Sequence, residues 1–218
     1  MTELVTIIDY GSGNLKSAAK AFERQAALMD NPPQILVTSD PEQVRKADRI
    51  VLPGVGAFAD CSAGLMAVEG MRQALEDRVI AGGVPFLGIC VGMQLMAKEG
   101  REKGVHAGLG WIDGAVVRLE PTDASLKVPH MGWNTLTIEK PHALFAGIAD
   151  GEDGLHAYFV HSYHMKTASS DTLFATAQYG MTVTAAVGRD NMFGTQFHPE
   201  KSQTLGLALI GNFLKWRP

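Results

Sequence analysis

The sequence predicts an α/β fold: an open, mostly parallel, doubly wound sheet with added antiparallel hairpins. Three observations point there. In the first half, short apolar β-branched runs alternate with helical patterns. Those runs are apolar throughout rather than alternating, the pattern of strands covered on both faces. In the second half, strand-like segments follow one another with few helices between them, separated by turn residues such as Gly180, Gly188, Asp190 and Asn191.

Residues 4–9 open the sheet and end at Tyr10-Gly11-Ser12-Gly13. A helix follows over 14–28, with Ala18, Ala19, Phe22 and Ala26 along one side. Residues 35–37 form a second strand, closed by Ser39-Asp40-Pro41, an N-cap and a proline that start a short helix. The third strand, 49–52, runs into Pro53-Gly54-Val55-Gly56. One helical region covers 60–81, stopped by Gly82-Gly83; 84–89 is the fourth strand, and 90–98 reads as helix. Strands then fall at 116–119, 134–138, 157–160, 173–178, 183–187 and 192–197. A last helix over 202–216 carries Leu205, Ala208, Leu209, Phe213 and Trp216 on one face. Segments 30–34 and 121–125 read as surface loops, no repeat or linker interrupts the pattern, and residues 1–218 read as a single domain.

Composition narrows the class. Apolar residues make up 46% and charged residues 19%, which excludes a disordered or fibrous chain. A net charge of −4 gives no electrostatic pull toward nucleic acid or an anionic membrane. No stretch approaches the roughly 20 apolar residues of a membrane span, and the first residues lack the basic start of a signal segment. Two cysteines, Cys61 and Cys90, make no disulfide framework and no CxxC pair, so a reducing, cytoplasmic compartment fits.

Gly88-Ile89-Cys90-Val91-Gly92-Met93-Gln94 directly follows a strand. Small-x-nucleophile-x-small at a strand-to-helix turn is a nucleophile elbow, so tight that positions two before and two after the nucleophile must lack bulk. Gly88 and Gly92 satisfy that. The sulfur then sits at a helix N-terminus, where the dipole stabilises a thiolate. The Val91 N–H is placed as an oxyanion donor. Cys61 lies in a helical stretch without elbow glycines and reads as structural or incidental.

A cysteine nucleophile needs a base, and the base needs an orienting group. His198 ends a strand in Thr195-Gln196-Phe197-His198-Pro199-Glu200. Proline extends the residue before it, and residues i and i+2 of an extended segment project to one side. Glu200 can therefore accept a hydrogen from His198 and leave the other ring nitrogen for Cys90. The order Cys, His, Glu disfavours an α/β-hydrolase, where the acid precedes the histidine. Pro53-Gly54-Val55-Gly56, at the carboxyl end of an inner strand, can turn a second N–H, at Val55 or Gly56, toward an oxyanion. No Lys-Ser/Thr follows it, which rejects a phosphate-binding loop.

Together, Pro-Gly-Val-Gly, Gly88-Ile89-Cys90-Val91-Gly92-Met93-Gln94 and His198-Pro199-Glu200 resemble the class I (triad) glutamine amidotransferases over nearly the whole chain, a flavodoxin-like fold. The resemblance implies Cys90 as nucleophile on the side-chain amide of L-glutamine, His198 as base then acid, Glu200 as orienter, and a glutamyl thioester. It implies that Gln94 and Glu102 bind glutamine, with main-chain groups of Gly54, Gly56, Ser162 and Tyr163. Within the family, Asp9-Tyr10-Gly11-Ser12-Gly13-Asn14-Leu15, Pro129-His130-Met131-Gly132-Trp133-Asn134 and Tyr158-Phe159-Val160-His161-Ser162-Tyr163 look like the glutaminase subunits of imidazole glycerol phosphate synthases, in histidine biosynthesis. That similarity implies a heterodimer with a (β/α)₈-barrel cyclase subunit, which receives the ammonia and converts PRFAR to imidazole glycerol phosphate and AICAR. It also implies partner contacts at Asn14, Trp133 and Lys201, with Tyr158 and His161 as pocket walls or interface residues. No metal is expected, because His106, His130, His142, His156 and His164 show no ligand spacing, and no cofactor is implied. A subunit of another class I amidotransferase, or an inactive binding module of the same fold, stays open on sequence alone.

Overall fold

The apolar runs of the first half form one side of an eight-stranded sheet in the computed structural model, which describes residues 2–218. These strands are β1 (Leu4–Ile8), β2 (Gln34–Thr38) at the sheet edge, β3 (Arg49–Gly54) and β4 (Phe86–Cys90). The connections are α1 (Leu15–Ala26), α2 (Pro41–Arg45), then α3 (Phe58–Ala67), α4 (Met71–Leu75) and a π-helical turn (Glu76–Ala81). Asp40 caps α2 as its sequence position predicts, accepting the N–H of Glu42 ahead of a proline at the first turn. After β4 comes α5 (Val91–Gln94), a single turn.

The second half supplies β5 (Ala97–Gly100), β6 (His106–Ala107), β7 (Ile112–Arg118), β8 (His130–Thr135), β9 (Thr137–Ile138), β10 (His156–His161), β11 (Tyr163–Thr167), β12 (Leu173–Gln178), β13 (Thr182–Arg189) and β14 (Met192–Thr195). The last helix is α6 (Gln203–Lys215). The main sheet runs β2-β1-β3-β4-β14-β13-β12-β9. Its first five strands are parallel and the rest antiparallel. A pair, β10-β8, and a four-stranded sheet, β11-β7-β5-β6, complete the fold. Helices α1 and α6 pack together, with Phe22 edge-on to Phe213. Among the described residues no helix is long and apolar enough to cross a membrane.

Two helical expectations fail for identifiable reasons. The helix expected over 60–81 breaks at Gly70, whose φ of +76° is left-handed, so α3 and α4 are separate. The helix expected over 90–98 ends after one turn. The carbonyls of Leu95, Met96, Ala97 and Lys98 accept N–H groups from Leu109, Trp111, Gly110 and Gly108, and a strand replaces the helix. Strand β11, which the sequence did not announce, reads as polar and is held by its pairing with β7.

The sheet centre is packed tightest where β3 meets the start of α5. A Cβ on Gly92 would lie 1.8 Å from the Leu52 carbonyl oxygen, and one on Gly88 would lie 2.7 Å from the Gly92 oxygen. Backbone cannot yield there without separating β3 from β4. Gly92→Ala is expected to destabilise the fold by about 3 kcal/mol, as overpacking of a rigid site does. Denaturant unfolding measures this, and a loss below about 1 kcal/mol would show that the elbow can spread.

Candidate active site

Cys90 ends β4 with φ 54° and ψ −111°, a left-handed conformation that a residue with a Cβ rarely adopts. Gly88 and Gly92 hold it there, packed as described, while Gly54 stands opposite Cys90 in the β3–β4 register. A Cβ on Gly54 would lie 2.6 Å from the Tyr10 hydroxyl oxygen, so this glycine seats the elbow on the residue that follows β1.

Beyond β14 the chain bends at Gln196 and Phe197 and is extended again at His198, whose backbone N–H donates to the Tyr158 carbonyl at 3.0 Å. The Ser202 hydroxyl donates to the His198 carbonyl (2.6 Å) and accepts the Tyr158 N–H (2.9 Å). These three bonds close a ring that fixes His198 to β10. Its Nδ1 lies 2.9 Å from Glu200 Oε1, with both side chains 2% exposed. A carboxylate only accepts, so Nδ1 carries the hydrogen. Nε2 is left buried without a hydrogen-bond partner. Burial works against the imidazolium, but the bond to Glu200 and attraction to Cys90 and Glu200 outweigh it and push His198 up to about 10.

A cavity of about 320 Å³ is lined by Cys90 and His198 and by the expected Val55, Gly56, Val91, Gln94, Glu102, Ser162 and Tyr163. Gly54 lies beneath the elbow rather than on the cavity wall. Gln94 commits its amide nitrogen to the Tyr163 carbonyl and to Gln196 Oε1, both at 3.0 Å. What remains for the cavity is its carbonyl oxygen. Glu102 follows β5 and accepts the Phe58 N–H at 2.9 Å at the start of α3. Its other oxygen is uncommitted. Two acceptors on one wall suit an ammonium group.

Of the two expected candidates for the second oxyanion donor, Val55 and Gly56, the Val55 N–H is already engaged. The Val55 N–H donates to Ser12 Oγ at 3.1 Å, and Ser12 Oγ lies 2.6 Å from the Val55 carbonyl. Cys61, buried on α3, adds its thiol to the same carbonyl at 3.4 Å. Burial pushes that thiol up, away from nucleophilic use. Ser12 and Cys61 thus fasten the Val55 peptide, a role the sequence did not disclose.

The expected partner contacts separate. Trp133, 47% exposed, stands edge-on to Tyr158 at 5.5 Å, and Lys201 Nζ lies 5.6 Å over the Tyr158 ring. These three form one surface cluster, with exposed Met131 beside it on β8. Asn14 stands at the start of α1 and makes no capping bond. His161 is no surface residue: it is buried and walls the cavity. Its Nδ1 faces the Tyr163 carbonyl (2.9 Å) and so carries the hydrogen, and its Nε2 accepts from His130 Nδ1 (3.1 Å).

Reasoning from sequence missed Gln196, Ser202 and Ser12. For Gln196 a signal existed. Gln196 precedes His198 by two, the same spacing from which the sequence placed Glu200 beside His198; in the structure Glu200 reaches His198 from the 3₁₀ turn Pro199–Lys201 instead.

Comparison with known proteins agrees with this geometry. A family model described as glutamine amidotransferase class-I matches residues 6–216. The imidazole glycerol phosphate synthase subunit HisH of Mesorhizobium japonicum is 63% identical over 214 residues, 98% of this chain and 99% of that protein. The same subunit of Agrobacterium fabrum is 62% identical with the same coverage. Among solved structures, one described as a glutamine amidotransferase superposes with a TM-score of 0.70 at 18% identity, covering 97% of this chain and 97% of that one. The glutaminase domain of Trypanosoma brucei CTPS with bound acivicin gives 0.65 at 17%, covering 100% and 96%. Those distant structures share the fold, and the family model together with the relatives shows that this chain belongs to the class-I glutamine amidotransferases.

Proposed function

We propose that this chain is the glutaminase subunit of an imidazole glycerol phosphate synthase, acting in the cytoplasm with a (β/α)₈-barrel cyclase subunit. The observation that carries the chemistry is the buried, partnerless Nε2 of His198, with Nδ1 held by Glu200, on the cavity it shares with Cys90. The identity of the synthase rests on the relatives' names and the near-complete coverage of both chains.

L-glutamine binds with its ammonium against Gln94 Oε1 and Glu102. The Cys90 thiolate attacks the side-chain amide carbon, and the oxygen becomes an oxyanion facing the Val91 N–H. The imidazolium of His198 gives its Nε2 proton to the departing nitrogen, and ammonia leaves. Water, deprotonated by His198, then attacks the thioester; glutamate departs and the thiolate returns. Ammonia released into neutral water becomes ammonium and stops being a nucleophile, so direct delivery to the cyclase is required. There it converts PRFAR to imidazole glycerol phosphate and AICAR. The exposed Trp133 and Lys201, with the partly exposed Tyr158 between them, suit the cyclase face, and the hydrogen-bonded ring joins Tyr158 to His198. Full activity requires the Val55 N–H to leave Ser12 and join Val91.

Two outcomes are expected. Cys90→Ala, mixed with the cyclase, should lose glutamine-dependent synthesis while added ammonium salt still supports it. Glutamate release by this variant would remove Cys90 from the mechanism. Ser12→Ala should raise glutamate release by the isolated chain about fivefold, the equivalent of one hydrogen bond of about 1 kcal/mol. The cyclase-activated rate should change little; an isolated-chain rate equal to or below that of the parent would show that Ser12 does not hold the loop back.

A further inference from the structure

We propose that Gln196 is the hydrogen-bond donor that orients the Cys90 sulfur and favours its thiolate, and that it joins the nucleophile to the substrate-binding amide of Gln94. The inference rests on Cys90 being the nucleophile, as proposed above.

The assignment follows from hydrogen-bond direction. Gln196 is fully buried just beyond β14, and its backbone N–H donates to the Ala185 carbonyl at 2.8 Å. One amide atom of Gln94 lies 3.0 Å from both the Tyr163 carbonyl oxygen and the Gln196 side chain. A backbone carbonyl can only accept, so that atom is the Gln94 nitrogen. The Gln196 atom that meets it must then be the oxygen. Rotating the Gln196 amide would set nitrogen against nitrogen. Its NH₂ therefore faces Cys90 Sγ, at 3.7 Å. A thiol is a weak acceptor and a thiolate a strong one, so this bond strengthens when Cys90 ionises and when the thioester releases it. Gln196 occupies one side of the sulfur, and His198 serves the cavity side. The segment after β14 thus presents donor, base and orienter at 196, 198 and 200, with Glu200 on the 3₁₀ turn Pro199–Lys201 that follows His198.

Two substitutions separate this from a packing role. Gln196→Glu keeps the acceptor that holds Gln94 and sets a carboxylate against the sulfur. Gln196→Met keeps the volume and removes both functions. The test is the pH dependence of iodoacetamide alkylation of Cys90 in the full chain, beside kcat and KM for glutamate release with the cyclase. The other titratable groups near Cys90, namely His198, Tyr10 and Cys61, with Glu102, His161 and Tyr163 on the shared cavity, are retained in both variants. In Gln196→Glu, alkylation at neutral pH should slow about tenfold and its profile move up by about one pH unit. Its kcat should fall while KM stays within about twofold; Gln196→Met should alter both. Alkylation profiles matching the parent in both variants would overturn the proposal. Failure of both to fold would also overturn it, by assigning Gln196 to packing. A parent chain that releases no glutamate with the cyclase would instead defeat the functional reading, while the alkylation profiles would still decide the role of Gln196.

Discussion

The contact between Gly92 and the Leu52 carbonyl governs the rest of the molecule. A Cβ would lie 1.8 Å from that oxygen, so the turn after β4 can be as tight as it is only with glycine there. The tightness forces Cys90 to φ 54°, a strain of about 1–3 kcal/mol that β3, β4 and β14 on either side over-determine. The strand order therefore serves the elbow. β3 brings the Pro53–Gly56 segment, and β14 brings Gln196 and His198, to the same carboxyl edge as Cys90. This is why β14, the last strand in sequence, is inserted beside β4 at the middle of the sheet.

The polar side of the site obeys a second constraint, the direction of hydrogen bonds around the Tyr163 carbonyl. It accepts from His161 Nδ1 and from Gln94 Nε2. From the first, hydrogen atoms are assigned outward. His161 Nε2 accepts from His130 Nδ1, and His130 Nε2 lies 3.3 Å from the Asn134 amide nitrogen. That nitrogen is itself identified by its donation to the Gln178 carbonyl at 2.9 Å. Both histidines must be neutral to keep this pattern, and burial holds His130 down to about 4 and His161 down to about 3. His198 is shifted the opposite way because anionic partners flank it. One residue type thus serves as a rigid neutral strut and as a proton carrier, according to what each ring nitrogen faces.

What the sequence disclosed and what it concealed divide by the range of the interaction. Gly88, Cys90 and Gly92 constrain one another over five residues, and His198 and Glu200 over three, so the elbow and the dyad are legible. The end of α5 is not, because the groups that take the carbonyls of Leu95 to Lys98 lie at 108–112 and carry no local helix-breaking signal. The break before α4 had a signal in Gly70, but an apolar pattern on both sides masked it. Ser12 lies 43 positions from Val55 and reads as an ordinary turn residue until β1 and β3 pair. Gln196 was concealed differently: its spacing was visible, but its function is defined only by Gln94 and Tyr163, which settle the direction of its amide.

The same division bears on how a partner could act on the site. The elbow is fixed by backbone packing and has little freedom to respond. The Val55 peptide is fixed by a hydroxyl and a thiol, and Val55 is half-exposed. Contacts of that kind are each worth about 1 kcal/mol and can be exchanged for others without disturbing the sheet. Trp133 and Tyr158 stand on β8 and β10, a two-stranded sheet separate from the main one. The bonds of Tyr158 to His198 and Ser202 tie that small sheet to the catalytic strand. A displacement of β10 would therefore reach the base through backbone hydrogen bonds while leaving the nucleophile in place. On the proposed assignment of Cys90, Val55 and His198, the architecture separates a rigid nucleophile from an adjustable oxyanion loop and a base tethered to the surface, the arrangement required if glutamine hydrolysis is to wait for the enzyme that uses its ammonia.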